Sequence, residues 1–307
     1  MDSTAQAAPI RLIGLPGRFA EWGLTWARDI IAAAGAAAPD IVPAEPGPAD
    51  AAGGRSVVFL DSPAAAALAL LPRLGDPIAV ARELTRLLAP LPALLARPGT
   101  LLVRRGPALD LPATRAALAR HLLPDAPPPA DSLPCEAGFD PAAPEPPLSG
   151  QMATLARQVL QPMFALALGD GQAPVVWPLA CFYAGDQPGE QAAPVVETEG
   201  PARILYYGPY FHLPAGRFRV DVQMFFSNDV PASMFAAEIV ADAPLARIEF
   251  RPEYGGLFQA SMPLIVERAD LPIEFRIWLL SGTLSGQFGL RQVLLTPLPG
   301  DEEAVAA

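Results

Sequence analysis

A glycine-proline turn separates an apolar run from a longer apolar-periodic segment in RLIGLPGRFAEWGLTW, residues 11–26. Leu12 and Ile13 read as the end of a strand, and the periodicity that follows reads as a helix from about residue 20 to 36. A strand–turn–helix step can hold an anion, because backbone N–H groups converge where the helix dipole favours negative charge. Gly14 and Gly17 shape the turn and Arg18 adds a positive charge, whereas Glu21 opposes an anion there.

A second group of residues suits sugars, which stack their apolar faces on aromatic rings and bond to flanking polar groups. PARILYYGPYFHLPAGRFRV, residues 201–220, crowds Tyr206, Tyr207, Tyr210, Phe211 and His212 around one turn, with Arg203 as a polar neighbour. VVWPLACFYAGDQPGEQ, residues 175–191, adds Trp177 and Tyr183, and RPEYGG, residues 251–256, adds Tyr254 at a hairpin tip. The candidate glycan contacts are Trp177, Tyr183, Arg203, Tyr206, Tyr210, His212 and Tyr254. The competing reading is that these aromatics staple the edge of the sandwich to the helix that precedes it. Strand alternation puts Tyr206 and Tyr207 on opposite faces, so at most one of them faces a core. Asp186 and Glu190 are the carboxylates a loop-bound Ca²⁺ would use; their spacing is not that of an EF-hand, and a solvated loop is the favoured reading.

Composition limits the chemistry further. The 307 residues suffice for two domains, and about half are apolar. The formal net charge is −11, and all 21 basic residues are arginine. An acidic chain without clustered basic residues makes nucleic acid an unsuitable general partner, and without lysine there is no Schiff-base former. Two cysteines, Cys135 and Cys181, and two histidines, His121 and His212, form no metal-ligand spacing. No cofactor is expected. With neither a signal-peptide pattern nor an 18-residue apolar run, the expectation is a cytoplasmic protein without membrane insertion.

The elements that would position these residues differ between the two halves. Residues 1–123 read as an α/β domain. Its strands lie at 10–14, 56–61 and 99–106, alternating with helices at 20–36, 63–72, 77–97 and 110–124, the third broken near Pro90 and Pro92; this pattern implies a small parallel sheet. Residues 124–150 are Pro-dense and read as a semi-extended linker. Residues 151–300 read as a helix, kinked near Pro162, and then a β-sandwich. Its strands are expected at 174–178, 194–198, 202–207, 217–226, 233–241, 245–251, 263–268, 273–281 and 288–296. The fold class is therefore α/β plus all-β, ending in a jelly-roll sandwich.

GLPGRFAEWGLTW resembles the phosphosulfate loop of the sulfotransferase family, with Gly14, Pro16, Thr25 and Trp26 matching in kind and Arg18 near the basic position; the resemblance covers about residues 10–125. It implies a sulfotransferase-like, P-loop-related domain in which Thr25 and Ser62 join Gly14, Gly17 and Arg18 as anion- or nucleotide-binding residues. The family's hydroxyl pair is missing, no arginine precedes Pro63, and no general base is evident, so the resemblance implies a scaffold that has lost its donor site, with no catalytic residue assigned. GPYFHLPAG before an alternating strand is similar to bacterial polysaccharide-associated sandwich domains, over about residues 174–298. Together these imply a non-catalytic protein that binds a carbohydrate or a partner and is linked to bacterial surface polysaccharide. The alternatives are a sulfotransferase-like enzyme acting on a carbohydrate, and an assembly protein that contacts a protein partner or itself.

Overall fold

The computed structural model describes residues 10–35, the backbone of 41–44, and residues 54–129, 131–137, 139–229 and 233–299. The chain forms two compact units: Met1–Gly75 with Leu91–Leu148, and Asp76–Pro90 with Ser149–Ala307. These boundaries differ from those expected in two places. Residues 76–90 join the second unit, and the Pro-dense segment up to Leu148 belongs to the first.

The first unit contains β1 (Ile10–Gly14), α1 (Arg18–Ala33), β2 (Ile41–Ala44), β3 (Ser56–Leu60) and α2 (Pro63–Leu74). After α3 (Pro77–Leu88), which belongs to the second unit, it continues with α4 (Leu91–Leu95), β4 (Thr100–Arg104), α5 (Leu111–Leu122) and α6 (Pro134–Ala137). The four strands are parallel in the order β2-β1-β3-β4. Three of them were legible; β2, with the sequence IVPA, was not, because proline reads as a breaker. It is tolerated here because β2 is an edge strand and pairs on one side only. All five residues of β3 are buried, as a parallel strand covered on both faces requires. Helices α2 and α5 start as the sequence dictates, with Ser62 and Asp110 as N-caps and a proline in the first turn.

The segment expected as a semi-extended linker is fastened to α1 and α5. Trp22 Nε1 donates to the Cys135 carbonyl at 2.9 Å, and Trp26 Nε1 to Glu136 Oε1 at 2.7 Å. Arg115 completes a buried ion pair with Glu136 at 2.6 Å, and the Phe139 ring stacks on Trp22 with centroids 4.5 Å apart. Proline density prevented regular structure here without preventing side-chain burial.

In the second unit, α7 (Gly150–Leu155) and α8 (Gln161–Leu168) are joined by a wide π-type turn over Ala156–Leu160. This is the irregularity expected from Pro162, whose nitrogen has no hydrogen to donate to the ladder. The strands are β5 (Val175–Pro178), β6 (Tyr183–Ala184), β7 (Val196–Glu197), β8 (Arg203–Phe211), β9 (Gly216–Phe226), β10 (Phe235–Val240), β11 (Pro244–Phe250), β12 (Gly256–Val266), β13 (Ile273–Leu279) and β14 (Gln287–Pro297). One sheet has the order β11-β10-β13-β8-β6 and the other β12-β9-β14-β5, with β7 paired to β14. From β8 to β14 the chain alternates between the sheets except at the β10–β11 hairpin, and this double Greek-key order makes the sandwich a jelly roll. Aromatic pairs across the core tie the sheets together: Phe226 with Phe235 at 5.0 Å, Tyr206 with Phe288 at 5.6 Å, and Trp177 with Phe211 at 6.1 Å. Strand β12 begins seven residues before the expected 263, since Gly256 and the polar Gln259 and Ser261 disguise its first half.

Gly23 sets the distance between α1 and the sheet, because a Cβ there would stand 2.4 Å from the Phe59 ring. Gly23→Ala is expected to destabilise the first unit by about 1–3 kcal/mol through overpacking. Urea unfolding checks this, and Phe59→Leu in the same chain should recover part of the loss.

Candidate functional site

The outer face of the β12-β9-β14 sheet carries a row of amides. Register places Gln259 beside Gln223 and Gln223 beside Gln292, one on each of three adjacent strands. Gln292 Nε2 donates to Gln223 Oε1 at 2.8 Å, and Gln223 Nε2 to Gln259 Oε1 at 3.4 Å. The next row along the strands is Ser261 beside Asp221, where Ser261 Oγ donates to Asp221 Oδ1 at 2.6 Å and Arg219 Nε to Oδ2 at 3.0 Å. The β14 register shifts between Leu290 and Gln292, and this bulge inserts Arg291 beside the amide row. A shallow concavity of about 270 Å³ results, lined by Gln223, Met224, Leu257, Phe258, Gln259 and Arg291. Among the described residues Arg291 makes no ion pair, and Leu257 is 70% exposed. Tyr254, also 70% exposed, lays its ring 5.1 Å from that of Phe258. Amides and a guanidinium offer donors and acceptors in a plane, beside the exposed apolar chain of Leu257. None of the sequence candidates lines this concavity: Tyr254 touches Phe258, whose ring turns to the core side and meets Phe226. The amides and Arg291 went unseen because strand alternation turns Gln223 outward but does not say which residues on other strands stand beside it.

The Tyr-rich stretch does different work. Helix α3 is capped by Asp76, which accepts from the Ile78 and Ala79 amides, and it runs against β8. Its Arg82 donates to the Pro209 carbonyl at 2.7 Å and to the Tyr183 hydroxyl at 2.9 Å. The guanidinium carbon lies 5.4 Å from the Tyr183 ring centre and 5.2 Å from that of Tyr210. Tyr210 takes the left-handed conformation, φ 66°, which is costly for a residue with a Cβ, and its hydroxyl donates to Glu274 Oε1 at 3.0 Å. Burial, then that bond to Glu274, pushes its phenol up to about 12.

Several glycan candidates are therefore corrected. Trp177 and Tyr206 have no exposed surface: Trp177 packs edge-on against Phe211, and Tyr206 donates to the Ala193 carbonyl at 2.9 Å. His212 is buried, with Nδ1 3.2 Å from the Ala269 carbonyl and its backbone N–H on Thr85 Oγ1. Tyr183 and Tyr210 flank Arg82 of α3, a helix other than the one at 151–168 that precedes the sandwich. Arg203 bonds Asp186 at 3.0 Å and the Glu197 carbonyl at 2.7 Å. That ion pair engages the Asp186 carboxylate; Glu190 uses its backbone carbonyl to accept from Ala184. Among the described residues no group of three His, Cys, Asp or Glu side chains is placed to hold a metal.

In the first unit the anion candidates separate. Gly14 ends β1, where a Cβ would stand 2.4 Å from that of Ala20, so its smallness serves helix packing. Thr25 lies two turns into α1 and donates to the Glu21 carbonyl, away from the turn. Gly17, with φ 141°, and Arg18 remain at the helix start and line a crevice of about 370 Å³ with Asp61 and Arg105. Ser62 caps α2 and donates to Glu145.

No protein-family model matches the chain, and no curated protein matches it. The sulfotransferase resemblance of residues 10–125 thus gains no support. Among solved structures the chain is similar to TmCBM61 in complex with β-1,4-galactotriose, at 11% identity and a TM-score of 0.29, over 39% of this chain and 91% of that one. It is similar to the CBM6cm-2 carbohydrate-binding module of Cellvibrio mixtus lichenase 5A in complex with cellotriose, at 9% identity and a TM-score of 0.28, over 41% of this chain and 99% of that one. A third is CBM36 with calcium and xylotriose, at 12% identity and a TM-score of 0.24, over 38% and 87% of the two chains. Among the described residues no helix is long and apolar enough to cross a membrane.

Two outcomes follow from this geometry. Arg82→Ala removes charge-assisted bonds that tie α3 to the sheet, and should destabilise the second unit by about 2–3 kcal/mol. Hydrogen exchange across 77–88 should accelerate, and Arg82→Lys should restore it only in part, since a lysine cannot reproduce the planar fork. Burial, the largest influence, holds the His212 imidazole below the usual 6.5, and Arg86 adds to this, while the Ala269 carbonyl, Asp270 and Glu83 oppose it. The unfolded chain therefore takes up the proton first as pH falls, and stability is lost as pH drops through about 6.5 toward the folded value. Urea midpoints between about pH 7 and 5 should show that fall and a shallower one in His212→Gln. His121, lowered chiefly by burial, contributes the remainder from the first unit.

Proposed function

We propose that this chain is a non-catalytic carbohydrate-binding protein, and that the glycan lies across the outer face of β12, β9 and β14. The observation that carries the reading is the amide row Gln259–Gln223–Gln292 with Arg291 turned beside it by a bulge. A sugar presents hydroxyls at several directions around an apolar ring face, and its recognition needs planar hydrogen-bonding groups next to an apolar platform. Here the amides and the guanidinium take the hydroxyls. The exposed Leu257 side chain takes the C–H face. The reading moves the glycan site from the Tyr-rich turn, whose side chains hold α3, to a face that none of the expected contacts lines.

The test is calorimetric titration of the whole chain with a panel of plant and bacterial oligosaccharides. One class should bind. Gln223→Ala and Arg291→Ala should each weaken it by roughly 5- to 30-fold, the effect of losing one or two hydrogen bonds. Leu257→Ala should weaken it as well, while Glu190→Ala, on a different loop, should not. Binding that survives the Gln223→Ala/Arg291→Ala double variant unchanged would place the glycan elsewhere. A folded protein that binds nothing on the panel would remove the reading.

A further inference from the structure

The crevice of the first unit lies at the carboxyl ends of β1, β3 and β4, where Gly17 and Arg18, Asp61, and Arg105 follow their strands. Strand order reverses between β1 and β3, and open parallel sheets bind ligands outside such a switch point. One wall is apolar, from Ala65, Leu68 and Ala69 of α2. The other is a strap of the chain itself, residues 143–146.

That strap delivers a carboxylate to the crevice. Glu145 Oε1 accepts from Arg105 at 3.1 Å, and Oε2 accepts from the hydroxyl of Ser62, the residue that caps α2. The other guanidinium nitrogen of Arg105 holds the Ala143 carbonyl at 2.9 Å, so one arginine grips both the strap and its acid. Asp61, 3% exposed, accepts from the same Arg105 nitrogen at 3.1 Å and from the Ser62 amide at 2.8 Å. With Glu145 withdrawn, an Arg105 N–H and the Ser62 hydroxyl lose their acceptor beside Arg18, while Asp61 stays on Arg105 and Asp140 lines the adjoining pocket that shares both arginines. The strap that supplies the acid has neither helix nor strand pairing, and two of its four residues are proline.

We infer that Glu145 is an intramolecular occupant of an oxyanion site, and that a small molecule with one oxyanion head and a short apolar body takes its place on Arg105 and Ser62. The apolar wall of α2 receives the body. The bound state releases the strap, so the structure shows the closed form. This site belongs to the first unit and does not depend on the glycan reading.

The experiment is calorimetric titration of the full chain with sodium butyrate, inorganic phosphate and, as a neutral control, 1-butanol. In Glu145→Ala at least one of the two anions should bind ten or more times tighter than in the wild type, and which of them gains identifies the head group as carboxylate or phosphate. Adding Ser62→Ala should remove most of that gain, and 1-butanol should show none. Should Glu145→Ala fail to give a cooperative unfolding transition, Glu145→Gln keeps the shape of the strap while removing its charge, and the same gain is expected there. Anion affinity no higher than wild type in the folded variant, or a gain that Ser62→Ala leaves intact, would overturn the inference.

Discussion

The grip of Arg82 on the far side of the sandwich decides which surface of the second unit is open. Helix α3 comes from a part of the chain that otherwise builds the first unit, yet it closes over β8 because one guanidinium meets a carbonyl, a phenol and two ring faces at once. Each contact is modest. Together they hold a planar cation where both its charge and its faces are used. Tyr210 accepts an unfavourable backbone conformation in that setting, stabilised by its bond to Glu274. The sheet face that α3 covers cannot also offer its tyrosines to a ligand.

The same sheet shows how a polar face is made stable without burial in a core. Glu274 accepts from both Tyr210 and Arg276, and Glu238 accepts from Trp278 and Arg247, so charges on neighbouring strands satisfy one another. The opposite sheet has an amide row in place of this network, with Arg291 outside any ion pair among the described residues. One face thus pairs its carboxylates with its own donors, though Arg276 Nε has no partner, and the other retains hydrogen-bonding capacity directed at solvent.

The first unit uses a proline-dense segment as structure. Such a sequence cannot form a ladder, so it contributes through single anchored side chains: Glu136 to Arg115 and Trp26, Phe139 to Trp22, and Glu145 to Arg105 and Ser62. Two of these anchors are carboxylates meeting arginines, in a chain whose arginines are outnumbered by acids. A buried carboxylate needs a partner, and the segment is held where the partners are.

The sequence by itself determined the fold class of each half, most strand and helix positions, the helix cap at Asp110, and the irregularity before Pro162, because periodicity, capping and proline geometry act over a few residues. It also supplied Tyr254 as an exposed aromatic. It did not show β2, the first half of β12, or the anchoring of residues 131–148, where Pro43, Gly256 and the proline runs hide what the chain does. The amide row, the bulge at Arg291, the burial of Trp177 and Tyr206, the grip of Arg82 and the carboxylate of Glu145 on Arg105 were decided only by tertiary structure. Each depends on register or on contact between residues distant in the chain, Gln223 with Gln292 or Arg105 with Glu145, and local pattern carries no information about which distant residue arrives alongside.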